Sequence, residues 1–340
     1  MRWLARQIKL LLAIFLHRSG VLNLLVSRRL QCRVPVLMYH RVIDASHAPL
    51  TDSSPGIIVR DQSFEMQMRT LREEFNPISL QGLREYLDNN VELPERSCLV
   101  TFDDGWLDNY EIAWPILNKY QIPAVVCLPC NFMSGDSMFW QEEMLMHLTS
   151  FLRSGNSMDT TTLSGVLGID IRTKDPDIDD IRDFVLAQKP LRQEEIREKL
   201  QEIKNLSSPE RVKGHYNKYI SWDQAMEMQS GGISFASHAL THRILTRLSS
   251  EGICTELVES KRVLTEQLGT EIAAVAYPNG DHDDRVLSQA HAAGYSIGFS
   301  TRSGLFDPAF DNPLAIPRLN MHDRNSGQKA LFLCTCADLL

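Results

Sequence analysis

Cys98-Leu-Val-Thr-Phe-Asp-Asp-Gly-Trp106 is an apolar run that ends abruptly in two adjacent carboxylates and a glycine. The run reads as a buried strand, and an α/β sheet or barrel collects its chemistry where strands end. Neighbouring carboxylates repel one another and are costly to desolvate unless a cation sits among them. Asp103 and Asp104 therefore ask for a divalent metal, for neutral nitrogen ligands elsewhere in the chain, and for a water or substrate on which one of the acids can act.

Outward from this stretch, strand and helix patterns alternate. Upstream, Val34-Pro-Val-Leu-Met-Tyr-His40 reads as a first buried strand with His40 at its end, and Phe64, Met68 and Leu71 then recur at helical spacing. Downstream, a helix around Ile112 to Tyr120 leads to a strand from Ala124 to Leu128. Such a βα series predicts parallel strands with helices outside. From about 133 to 219 the pattern becomes polar, with helical stretches at Phe139 to Leu152 and Glu194 to Ile203 and no strand, which predicts a helical insertion. Within it Asp175-Pro-Asp-Ile-Asp-Asp180 lacks calcium-loop spacing and reads as a solvated loop, while Trp140 and Met144 suit a private core better than a cleft cover.

The sheet resumes after the capping box Ser221-Trp-Asp-Gln224. The strand Ile233 to Ala236 runs into Ser237-His238-Ala-Leu-Thr-His242, and in a helical turn that spacing puts both imidazoles on one face. Ala273 to Tyr277, Tyr295 to Ser300 and Pro313 to Leu319 read as later strands, the last ending near Arg318, Asn320 and His322. The carboxylate pair and the histidine pair thus occupy equivalent strand ends, where they would converge in a barrel. One Asp and two His make a metal triad with open positions, leaving the second Asp as a general base.

Composition narrows the partners. The chain has 340 residues, 43% of them hydrophobic, and a formal charge of −8; its first 33 residues hold seven basic side chains and no acidic one, so the remainder carries −15 and does not suit nucleic acid. Residues 1–33 read as a basic amphipathic segment. Its apolar run Leu10 to Leu16 is too short to span a bilayer, but residues 1–30 suit peripheral membrane contact as well as packing on the domain. No convincing cleavage site follows, so a cytoplasmic location, or a peripheral one on the inner membrane, is expected. Seven cysteines without framework spacing fit a reducing compartment, and the first thiol of Cys127-Leu-Pro-Cys130 falls in a buried strand, which disfavours a redox role.

At Thr101-Phe-Asp-Asp-Gly105 and His238-Ala-Leu-Thr-His242, with Leu37-Met-Tyr-His40 upstream and Ala276-Tyr-Pro-Asn-Gly280 downstream, the chain resembles the polysaccharide deacetylase family, the NodB-homology carbohydrate esterases, in a form similar to the exopolysaccharide-acting subset. The resemblance covers roughly Val34 to His322 and implies a distorted (β/α)7 barrel, with the domain set at residues 34–325 and 326–340 as a C-terminal tail. It implies Asp103 as base, Asp104, His238 and His242 as metal ligands, and Tyr277 as the source of an oxyanion-holding backbone N–H. Arg318 would orient the base in place of the family's usual arginine. His322 would be the general acid, with His40 and His282 as competitors, although Leu319-Asn-Met-His322 is one residue longer than the family's late motif. Ala239 stands where the family usually carries Ser or Thr, removing a hydroxyl that steadies the loop.

The implied reaction is metal-assisted hydrolysis of the N-acetyl group of hexosamine units in a bacterial polysaccharide or its precursor, with zinc the first expectation and cobalt, nickel or iron compatible with the same ligands. Trp106, Trp140 and Tyr277 are candidate platforms for sugar rings. Two other readings stand beside it: a same-fold amidase acting on a non-carbohydrate amide, as in allantoinase-like relatives, and a catalytically silent glycan-binding module. Retention of all four acid and imidazole positions argues against the second.

Overall fold

The computed structural model describes residues 2–44, 51, 53–89, 91–133, 135, 138–153, 165, 178–189, 191, 193–206 and 218–339. The chain divides into two compact units, one comprising Met1–Ala48, Pro55–Gly135 and Tyr219–Leu340, the other Pro49–Ser54 and Asp136–Lys218.

The first unit is built on strands β1 (Val36–Tyr39), β2 (Arg41–Ile43), β3 (Ile58–Arg60), β4 (Asn76–Pro77), β5 (Ser97–Phe102), β6 (Ala124–Leu128), β7 (Ser234–Ser237), β8 (Ala274–Ala276), β9 (Ile297–Phe299) and β10 (Leu319–Asn320). Its main sheet runs β10-β1-β5-β6-β7-β8-β9 with β4 beside β5, and every pairing is parallel. A lone parallel bridge joins Phe299 to Ile316, just before β10, so the path curls back toward its own start as a distorted barrel. Parallel strands are covered on both faces and need apolar side chains throughout; β5 and β6 are buried at every position. Between them lie helices Asp61–Glu74, Leu80–Asn89, Trp114–Tyr120, Trp222–Ser230, Ser250–Leu268 and Asp284–Ala292. The Ser221 capping box is formed as its sequence predicts.

Register decides where the chemistry emerges. Tyr39 pairs with Phe102, Phe102 with Val126, and Leu128 with Ser237, so the residues following β1, β5 and β7 leave the sheet at one end. Those residues are His40, Asp103 and His238.

Both chain ends pack on the core, although only for the N-terminal one is that among the expectations. The expected tail holds a helix, Lys329–Cys336, whose Phe332, Leu333 and Cys334 lie in the core, because nearly every position of that short helix is apolar. The N-terminal segment forms α1 (Arg2–Arg18) and α2 (Val21–Arg29), with Ala13, Leu22, Val26 and Leu30 buried in the same core. The strand expected at Pro313 to Leu319 shortens to β10, since Asn312 caps a turn of 3-10 helix at Pro313–Ala315.

The second unit contains helices Trp140–Arg153, Ile178–Ala187 and Gln193–Leu206. Met144, Leu148, Ile181, Val185 and Ile203 form its own core, with Trp140 packed against it. Of the acidic stretch 175–180, residues 175–177 lie outside the described residues, and Ile178 onward is helical where a loop was expected. Among the described residues no single helix is long and apolar enough to cross a membrane; the pair Gln7–Arg18 and Val21–Arg29 has the composition for it only across a 97° bend.

Candidate metal and hydrolytic site

The two carboxylates that end β5 have separate surroundings. Asp103, almost fully buried, receives two parallel hydrogen bonds from Arg318, Nη1 to Oδ1 and Nη2 to Oδ2, both 2.7 Å. The Arg318 guanidinium is itself buried, and its remaining bonds go to Ser300 O (2.9 Å) and Thr101 Oγ1 (3.1 Å). A bidentate pair of this kind fixes the plane of the carboxylate as well as its charge. Burial alone would push the Asp103 carboxyl up, but the facing guanidinium outweighs it and holds the group at about 2.

Asp104 faces the imidazoles. Its Oδ1 lies 3.3 Å from Nε2 of His238 and 3.3 Å from Nε2 of His242, and the three ligand atoms fall within 4.8 Å of one another. Burial works against ionisation of Asp104, yet the two imidazoles hold its carboxyl well below the ordinary range. For His238, burial lowers the imidazole while Asp103 and Asp104 more than compensate, so its affinity for a proton rises; for His242 burial prevails and its affinity falls. One carboxylate and two imidazoles on a common focus fit a zinc-type divalent ion with positions left for water and substrate. The supporting bonds fit as well: His238 Nδ1 lies 2.8 Å from Ala276 O, which puts the proton on Nδ1 and leaves Nε2 free to ligate.

Asp104 is aimed by a second chain of contacts. Trp106 Nε1 donates to Asp104 Oδ2 (3.1 Å), which turns Oδ1 toward the histidines. The indole is stacked on Tyr219 and lies under the Arg41 guanidinium, 4.3 Å from the ring centroid, and Arg41 is paired with Asp108 at 2.9 Å. Trp106 is 1% exposed, so the expectation that it stacks on sugar is corrected: the ring is a buried strut. Trp140 is partly buried and packs against the core of the second unit.

The histidine loop is not the expected helical turn. Ala239 (φ 63°) and His242 (φ 56°) are left-handed, as is Asp104 (φ 74°), and this backbone rather than helical periodicity brings the imidazoles together. Such conformations cost roughly 1–2 kcal/mol per non-glycine residue and persist only where other contacts impose them. The imposing group is Glu256, from helix Ser250–Leu268. Its Oε2 accepts from Leu240 N (2.9 Å) and Thr241 N (2.8 Å), and its Oε1 accepts from Thr241 Oγ1. Thr241 with Glu256 thus does what the hydroxyl missing at Ala239 would have done. Sequence reading missed Glu256, Arg41 and Asp108; an acid buried on a helix face, as Glu256 is among Ile253, Leu257 and Ser260, was the available signal.

The remaining candidates fall in different places. His40 follows β1, and its imidazole is set among Asp104, Asp103, Arg318 and His238; among the described residues its buried Nδ1 has no hydrogen-bond partner. Burial lowers its proton affinity and prevails over the two carboxylates that oppose it. His322 caps helix Asp323–Ser326, its Nδ1 accepting from Arg324 N at 3.2 Å. His282 Nδ1 lies 2.9 Å from Gly280 O. The assignment of the Tyr277 N–H to an oxyanion is corrected, because it already donates to Phe299 O (3.1 Å), while the phenol donates to Leu314 O (2.8 Å). Cys127 and Cys130 are buried and their thiols pushed up, the latter to about 12, the opposite of a reactive thiolate.

Comparison with known proteins agrees with this geometry. Residues 192–298 match the polysaccharide deacetylase family model. A Bacillus subtilis (strain 168) protein named for polysaccharide deacetylation, YxkH, is 21% identical over 273 residues, spanning 80% of this chain and 66% of that protein. The poly-beta-1,6-N-acetyl-D-glucosamine N-deacetylase of Escherichia coli (strain K12) is 38% identical over 68 residues, 20% of this chain and 10% of that protein. Among solved structures, the Streptococcus pyogenes deacetylase PplD, in complex with acetate, superposes with a TM-score of 0.58 at 21% identity, covering 88% of this chain and 97% of that one.

Proposed function

From a chain that belongs to the polysaccharide deacetylase family, we propose an enzyme that hydrolyses the N-acetyl group of hexosamine units in a bacterial polysaccharide or its precursor, using a divalent metal, zinc first among the candidates. The observation that carries the reading is the division of labour at one strand end: Asp103 locked to Arg318, and its neighbour Asp104 turned toward two imidazoles. The partial likeness to the N-deacetylase of Escherichia coli supports an exopolysaccharide substrate.

Asp104, His238 and His242 would hold the ion, which would supply Lewis acidity to the acetyl carbonyl and the attacking water. Asp103 accepts the proton of that water as its oxygen bonds to the carbonyl carbon. Arg318 keeps Asp103 ionised and fixes the direction of its lone pairs. When the C–N bond breaks, the nitrogen must take up a proton, because an amide anion is too poor a leaving group. We assign that proton to His40 in place of His322. The His322 Nδ1 is held in a helix cap, whereas the His40 imidazole is set among both carboxylates, its buried Nδ1 without a hydrogen-bond partner among the described residues. Burial, only partly opposed by those carboxylates, lowers the proton affinity of His40, so a proton taken up there is readily given to the departing nitrogen. The products are acetate and the free amino sugar.

The decisive experiment is acetate release from a panel of N-acetylated glycans by metal-depleted and metal-restored protein. Release that returns with metal on at least one glycan is expected; no release from any, with the metal bound, would overturn the reading. In the same assay His40→Ala should lose roughly 10²–10⁴-fold in kcat while retaining metal. His322→Ala losing as much, with His40→Ala near wild type, would restore His322.

A further inference from the structure

The exposed face of the two N-terminal helices has no role in the hydrolytic site. In α1 the apolar side chains Ile8, Leu11, Leu12 and Phe15 are 57%, 66%, 45% and 68% exposed, and in α2 Val21 and Leu24 are 43% and 70% exposed. Positions 8, 11, 12 and 15 are spaced so that they form one stripe roughly 100° wide along a helix. The opposite side of α1 buries Ala13 in the core, so the stripe is not the face on which the helix folds. On the same helical wheel Lys9 and Arg18 fall at the two edges of the stripe, both exposed, and exposed Arg28 follows in α2. Residues 1–33 contain no acidic side chain, in a chain that is otherwise strongly acidic.

We propose that this face is a membrane-contact surface, lying in the headgroup region of an anionic bilayer without crossing it. An apolar stripe bordered by cations is the pattern of an interfacial helix: the side chains enter the acyl boundary while the flanking lysine and arginines meet lipid phosphate. The charge distribution favours lipid over a second copy of this chain, because pairing two such faces would bring like charges together. Among the described residues no single helix is long and apolar enough to cross a membrane, and the two helices meet at a bend of 97°. The anchor is tied to the body of the first unit. Arg96, immediately before β5, donates to Asn23 Oδ1 (2.5 Å) and to Ser27 Oγ, and Arg29 pairs with Asp338. That attachment is at the start of β5, whereas Asp103 follows its end, so contact through α2 leaves the hydrolytic site at the far end of the sheet.

The test is flotation of the full chain with vesicles of equal parts phosphatidylcholine and phosphatidylglycerol, beside vesicles of phosphatidylcholine alone. Wild type is expected to float with the anionic vesicles, more weakly with the neutral ones, and less as salt is raised. Leu11→Ser with Phe15→Ser should cut binding about tenfold or more and leave acetate release and melting temperature unchanged, since both side chains are already in water. Lys9→Glu with Arg18→Glu, a second variant with no apolar change, should remove the preference for anionic vesicles. Wild type that stays with the unbound fraction in both mixtures would overturn the proposal. So would serine variants that float like wild type, or a stable dimer by light scattering that the serine pair dissolves while wild type binds no vesicle.

Discussion

Asp103 and Asp104 are chemically identical and one peptide bond apart, yet one is paired with a guanidinium and the other faces two imidazoles. Asp103→Asn should leave metal bound and reduce acetate release by about 10²–10⁴-fold, read by metal content beside kcat; release near the wild-type rate would remove Asp103 from the role of base. Arg318→Met separates charge from burial. With the guanidinium gone, desolvation is the larger remaining influence on Asp103, so its carboxyl should rise and the acid limb of kcat/KM should move up by roughly a unit or more. An unmoved acid limb would show that Arg318 only fills space. These residues were legible in sequence because each motif is local: two acids close one apolar run and two histidines follow another. The fate of Trp106 was not, because burial under Arg41 and against Tyr219 is settled by residues 65 and 113 positions away. Tyr277 was misread for a similar reason, its N–H being consumed by Phe299 of the neighbouring strand, a register that the local sequence does not reveal.

At the scale of elements, the histidine loop is held in place by a neighbouring helix more than by its own conformational preference. Helix Ser250–Leu268 presents Glu256 to two backbone N–H groups and one hydroxyl of that loop. Glu256→Ala should therefore lower metal affinity about 10–100-fold, measured by chelator competition, with helix content by circular dichroism preserved. Glu256→Gln retains one acceptor oxygen and should fall between. Unchanged affinity in both would mean that the left-handed residues Ala239 and His242 hold without the clamp. The alternation of strands and helices was readable from apolar period, since parallel strands need continuous apolar runs. The end helix Lys329–Cys336 was not, because a short, wholly apolar helix has no amphipathic signature and looks like any buried run.

For the whole molecule, the buried ionic centre ties stability to pH. Asp103 sits at about 2 in the fold against an ordinary 3.8, so its contribution is present above pH 3.8 and is lost as pH falls through the folded value. Asp104 is displaced in the same direction. Urea unfolding of the metal-free protein should show a loss on the order of 2 kcal/mol from Asp103 alone between about pH 5 and pH 2, and Asp103→Asn should flatten that slope. An unaltered slope in the variant would place the acid sensitivity elsewhere. The clamp on Asp103 also spans 215 positions of sequence, from β5 to the residue before β10. A ribosome adding about 5–20 residues per second releases Asp103 some 10–40 seconds before Arg318. During that interval the nascent chain carries both acids and then both histidines, but no oriented base. If Asp103 is the base we propose, hydrolytic competence arrives only with the last strand, and a prematurely terminated chain would be born inert.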